Sequence, residues 1–176
     1  MKEPNLRILV DILRKKDWVI TERSSNDPIL LNNRFKKRYP SIPAELTNFI
    51  SRIYQMSLND TCWFICENDY NSLLTGDNFT WDFCEQLSLK SANELFDKNW
   101  ALEITNFWNC YLPVMISVKS GYAYISIGVC ENNFGKIFYG IEPEFEEVLD
   151  VCDSLTEFLN ILVRSDSNDF PFAGFI

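Results

Sequence analysis

The sequence predicts a single α+β domain in which helices pack mainly on one face of a largely antiparallel sheet. Three observations carry this prediction. Strand-like segments cluster between Pro113 and Gly140, amphipathic helical stripes lie before and after them, and no strand-helix-strand units alternate along the chain. A chain of 176 residues suits one core, since a domain near this length buries about 70% of the surface its unfolded form exposes. Its 47% hydrophobic and 23% charged residues are those of a folded domain, not a disordered one. No internal repeat or linker breaks it.

The first 38 residues read as an N-terminal helix and an irregular segment. Leu6, Leu9, Val10 and Leu13 recur at helical spacing, placing a short helix over Asn5 to Lys16 that ends in Arg14-Lys15-Lys16, cations suited to a helix C-terminus. After "WVI", the stretch "TERSSNDPILLNNRFKKRYPSIP" is rich in turn formers and lacks a period. A second helix is expected from Ser41, with Ser41 as cap, Pro43 in the first turn, and Leu46, Phe49, Ile50 and Ile53 on its apolar face. "TCWFICEN" reads as a strand. The segment from Phe79 to Tyr111 reads as one or two helices, with Leu95 and Phe96 on an apolar stripe and Trp81, Trp100 and Trp108 as packing residues.

Val114, Ile116 and Val118 alternate with Met115, Ser117 and Lys119, and Ser120-Gly121 turns the chain into a second strand whose Ala123, Ile125, Ile127 and Val129 share a face. "ENNFG" makes the next turn and "KIFYG" a third strand, so a meander with one apolar face is expected. Ser154 and Glu157 form the S-x-x-E signature of a helix start, followed by the stripe Leu155, Phe158, Leu159 and Leu162 up to Arg164. The tail from 165 to 176 carries Phe170, Phe172, Phe175 and Ile176, which are expected to pack back on the domain.

Composition closes several routes to chemistry. There is no histidine, so serine-histidine and cysteine-histidine schemes are impossible. Six scattered cysteines form no CxxC pair and read as reduced thiols, which leaves no metal site, and no cofactor motif of the GxGxxG, P-loop, HExxH or GxSxG type is present. No secretory signal and no run of 18 apolar residues appears, so a cytoplasmic protein without a membrane span is expected.

Charge is unevenly distributed. Through Arg52 there are 11 Lys and Arg against 6 Asp and Glu, a net of +5, and the remainder has 5 against 19, a net of −14, giving −9 in all. Between Lys136 and Arg164 no basic residue occurs, yet Glu142, Glu144, Glu146, Glu147, Asp150, Asp153 and Glu157 do. This region should be electronegative unless the basic N-terminal part folds over it. A solvated face that maintains solubility is the plain explanation, and a docking face for a cationic protein is the functional one. Nucleic acid is a poor partner for a chain of pI about 4.5. "RFKKRY", Arg34 to Tyr39, is the local exception and reads as a solvated loop. An enzyme using carboxylates would need two of Glu142, Glu144 and Glu146 to converge in a concave pocket.

From Tyr39 to Val163 the chain resembles the SUKH superfamily, which includes fungal cell-wall assembly regulators and bacterial immunity proteins. The resemblance rests on Pro43 leading a helix that ends in Phe49-Ile50, the strand end Ile127-Gly128, the turn glycine Gly135, "GKIFYG", and the closing "SLTEFL". It implies protein binding without catalysis: docking onto a secreted toxin domain, often a nuclease, that keeps the toxin inactive in the producing cell. A regulatory scaffold is the alternative the family offers. On this resemblance the expected partner is a cationic toxin domain. Glu142, Glu144, Glu146, Glu147 and Asp150 are the expected contacts, and Tyr122, Tyr124 and Tyr139 the candidate aromatic anchors.

Overall fold

A computed structural model describes residues 6–24, 28–72, 79–164 and 175–176. The chain begins with α1 (Leu6–Arg14), which buries Leu9, Val10 and Leu13 at the spacing read from the sequence. Arg14 in its last turn pairs with Glu22 of β1 (Val19–Glu22) at 2.8 Å. The stretch expected to be irregular contains α2 (Asn33–Arg38), started by Asn32, whose side-chain oxygen accepts from the Phe35 N–H at 2.8 Å. One cap and one buried ring stabilise a helix too short to show a period.

α3 (Ala44–Ile50) begins at Pro43 without the expected Ser41 cap, and buries Leu46, Phe49 and Ile50. The stripe read through Ile53 does not stay helical. Ser51 and Arg52 turn the chain, and Ile53 opens β2 (Ile53–Leu58). Both elements point apolar residues into one core, so a helical spacing survives across their junction. β3 (Cys62–Phe64) is shorter than the expected strand, because Cys66 already caps α4 (Glu67–Asn71). Two helices then follow, α5 (Phe83–Glu94) and α6 (Lys98–Trp108). The meander is β4 (Tyr111–Ser117), β5 (Ala123–Gly128) and β6 (Ile137–Ile141), joined by an unanticipated β7 (Leu149–Cys152) and closed by the expected α7 (Leu155–Arg164).

The strands form one antiparallel seven-stranded sheet in the order β1-β2-β3-β4-β5-β6-β7, each beside its neighbours in the chain. The α+β class is therefore as predicted, but helices line both faces of the sheet. Phe64 lies in register with Met115, and Met115 with Ile125. On that face the Phe64 ring meets Trp18, Phe49 of α3 and Phe158 of α7 at 5.9, 5.0 and 6.4 Å. On the other face Trp63 aligns with Ile116 and Ile116 with Tyr124. There Trp63 meets Phe79, Phe79 meets Phe83 of α5, and Tyr124 meets Trp108 of α6 at 4.9 Å. Coverage on both sides buries every residue of β5, which replaces the single apolar face expected of the meander.

Close packing constrains the backbone at Gly140. A Cβ on Gly140 would stand 2.4 Å from Cζ of Tyr124, so only glycine lets that ring cross the sheet. The end of the tail does pack back: Phe175 and Ile176 are buried, and Ser117 Oγ donates to the Phe175 carbonyl at 2.6 Å. Phe170 and Phe172 lie outside the described residues.

The expectation of six reduced thiols fails at one pair: a disulfide joins Cys110 and Cys130. The β4–β5 hairpin explains the meeting. Tyr111 lies opposite Gly128, and the Val129 N–H donates to the Cys110 carbonyl at 3.0 Å, so cysteines 20 residues apart become neighbours. Cys62, Cys66 and Cys84 are free and buried, and Cys152 is free and half-buried. No helix among the described residues is long and apolar enough to cross a membrane.

Candidate functional site

The acidic segment occupies the connection between β6 and β7 and continues into β7, which forms an edge of the sheet. It is held at three points. Glu142 exchanges two hydrogen bonds with Tyr122: its N–H donates to the Tyr122 carbonyl and its Oε1 accepts from the Tyr122 N–H, both at 2.9 Å. Phe145 is buried and its carbonyl accepts from the Tyr124 hydroxyl. Glu146 accepts the indole N–H of Trp108 on Oε1 at 2.8 Å. Between these anchors the Glu147 N–H closes a turn on the Glu144 carbonyl at 3.0 Å. Gly121, at φ +107°, leaves room for this arrangement, since a Cβ there would stand 2.6 Å from Glu142 Oε1.

The expected contact residues therefore divide by position. Glu144, Glu147 and Asp150 are exposed, and among the described residues no basic group lies within ion-pair distance of them. Glu142 is exposed but tied to Tyr122, and Glu146 is half-buried against Trp108. Tyr122 is half-buried, its ring 5.2 Å from Phe83. Tyr124 is fully buried and anchors the loop from within, so its ring offers no surface to a partner; burial raises its hydroxyl pKa well above the ordinary value. Tyr139 is also buried, against Phe175 on the opposite face of the sheet. Burial pushes the Cys84 thiol upward, and the charges of Glu146 and Glu142 add to the effect.

The basic N-terminal part does not neutralise this loop. Arg23 pairs with Glu67, Arg34 with Asp82 at 2.7 Å, and Arg38 with Glu85 at 2.5 and 2.8 Å. "RFKKRY" is thus not simply a solvated loop. Lys36 and Lys37 are exposed, but Phe35 and Tyr39 are buried, and Arg34 and Arg38 lie over the Trp81 ring while pairing with buried carboxylates. Arginine's planar cation suits both partners at once.

Beside the acidic loop is a groove of about 350 Å³. One wall is α5, through Leu87, Ser88, Lys90, Ser91 and Glu94, with Trp100 of α6; the other is Tyr122, Glu142, Pro143 and Phe145. Of the three carboxylates considered as a catalytic set, only Glu142 lines it, and Glu146 is turned to Trp108. Sequence reading missed Ser88, Lys90 and Glu94, which show no period of their own and acquire meaning only when the loop folds across α5.

A second feature adjoins it. Leu95 and Phe96, expected on an apolar stripe, are 72% and 91% exposed at the link between α5 and α6. Phe96 adopts φ +55°, and the Asp97 N–H donates to the Ala92 carbonyl at 3.0 Å, a helix ending in which glycine usually occupies the left-handed position. No family model matches the chain, and no curated protein or solved structure is significantly similar to it.

Proposed function

We propose that this chain is a protein-binding domain of SUKH type that works without catalysis, as an immunity protein docking onto and neutralising a cationic toxin domain. A nuclease suits the role, because its active site must be electropositive to hold phosphates. The observation that carries the reading is the pinned loop. Exposed carboxylates of Glu144, Glu147 and Asp150, free of basic partners among the described residues, sit on a backbone held by Tyr122, Tyr124 and Trp108. A preorganised surface of one sign steers an oppositely charged partner and loses little entropy on contact. The exposed ring of Phe96 supplies the apolar contact that charge alone does not.

The reading places the protein in the cytoplasm of the cell that makes the toxin. The Cys110–Cys130 bond makes thiol state the check on that placement, since a reducing cytosol keeps thiols open. The test is to capture the partner from the source cells, identify a toxin domain, and measure both growth rescue on co-expression and association rates at rising salt. Rescue, with association slowing steeply as salt rises and in the triple variant E144K/E147K/D150K, is expected. Unchanged association in that variant would sink the electrostatic reading, and capture of signalling proteins alone would favour the regulatory scaffold.

A further inference from the structure

We infer that the groove between α5 and the 142–145 loop receives the guanidinium of an arginine side chain presented by the protein partner. The inference rests on the docking reading above and specifies the chemistry of its anchor point. The chemistry of the walls selects this group. Two carboxylates, Glu94 and Glu142, face one cation, Lys90, so the lining favours a positive guest. Oε1 of Glu142 is occupied by the Tyr122 N–H, which fixes the carboxylate in place, and among the described residues Oε2 has no hydrogen-bond partner.

Ser88 adds a hydroxyl to the lining that has no hydrogen-bond partner among the described residues and is open to the groove, where a donor-rich guest can reach it. Trp100 and Tyr122 supply aromatic surface, and packing of the Tyr122 ring against Phe83 and Phe79 limits its freedom. A planar cation stacks on such rings while its N–H fork bonds carboxylate and hydroxyl oxygens. A compact lysine ammonium does not combine those contacts as well.

The test titrates the protein with Nα-acetyl-arginine amide and, as a neutral isostere, Nα-acetyl-citrulline amide, following the Trp100 indole N–H by NMR with W100F for assignment. Saturable shifts with arginine and at least tenfold weaker binding of citrulline are expected. E142Q, which keeps an acceptor for Tyr122, should weaken arginine binding about tenfold. K90E, on the exposed face of α5, should strengthen it severalfold, and this second variant decides the matter if E142Q unfolds. Absence of saturation, equal binding of citrulline, or indifference to both substitutions would overturn the inference. A captured partner that binds E142Q like the unsubstituted chain but fails on E144K/E147K/D150K would remove the arginine pocket and leave the docking reading intact. Arginine amide bound by a chain that docks no basic protein would do the reverse.

Discussion

Glu45 and Thr156 stand 111 residues apart in the chain and meet at the start of α7. One oxygen of the Glu45 carboxylate accepts the Thr156 hydroxyl at 2.9 Å, and the other accepts the N–H groups of Leu155 and Thr156 at 2.9 and 3.3 Å. The local signature does its own part: Ser154 Oγ accepts from the Glu157 N–H at 3.1 Å, while the Glu157 carboxylate reaches the Asp153 N–H. The helix start is thus satisfied from two directions, and α3 is tied to α7 by its first turn. E45A should destabilise the fold by about 1–2 kcal/mol, and E45Q, which retains an acceptor oxygen, by less. Urea unfolding of both variants checks the order.

The Arg38–Glu85 pair predicts a larger effect. Glu85 is only 3% exposed and accepts two guanidinium bonds, so E85A would leave a half-buried cation without its partner at a cost of about 3–5 kcal/mol. Removing both charges in R38M/E85L should recover much of that loss. A double variant as unstable as E85A would show that the pair's shape, not its charge, is what the fold requires.

Phe96 predicts a gain. A bulky side chain at φ +55° strains the backbone, while its 91% exposure returns almost nothing in burial. F96G should stabilise the protein by about 1 kcal/mol, raising Tm by about 2–4 °C for a chain of this size. The same variant should bind the partner less well. A loss of stability instead would mean that the ring packs on something in solution.

The disulfide gives a count. In protein purified under air, four of the six cysteines should alkylate under denaturing, non-reducing conditions and a peptide linking Cys110 to Cys130 should appear in the digest, whereas alkylation inside a reducing cytosol should reach all six. C110S/C130S should lower stability by about 3 kcal/mol, the loop-closure value for a ring near this length.

The free thiols set an alkaline limit. Burial pushes the Cys66 thiol up to about 12 and the Cys152 thiol up to about 11, from a starting value of 9.0. Above pH 9 the unfolded chain therefore sheds protons that the folded chain retains, which favours unfolding. Stability should hold below pH 9 and fall as pH rises toward 11. Urea midpoints at pH 8 and pH 10 test this, with a shallower fall expected in C152S.

What the sequence disclosed depended on how local the cause was. The stripes of α1 and α7 and the strands and turns of the β4–β6 meander are written within a few residues, and those elements appear where expected, although both faces of the meander are covered. β2 and β7 were hidden: Tyr54 and Gln55 interrupt the apolar pattern of the first, and the second carries exposed Leu149 and Asp150 at a sheet edge. The candidate site was legible only as charge. That Glu144, Glu147 and Asp150 remain exposed and Tyr124 disappears into the core depends on α5 and α6 crossing the sheet, a relationship between segments that no short window contains. The disulfide was missed for the same reason, since pairing of strands, not spacing, brings Cys110 to Cys130.

The strand order has a consequence for synthesis. Every strand after the first pairs with the one made just before it, so a chain leaving the ribosome always has its next template already in place. The α2–α3 stretch between β1 and β2 and the longer α4–α6 excursion between β3 and β4 are the pauses in that progression. Closure comes last, when α7 settles against α1 and α3 and Glu45 receives its partners. Nascent chains halted before residue 155 should therefore carry a largely zipped sheet with an uncovered face, the form in which this protein would most need a chaperone.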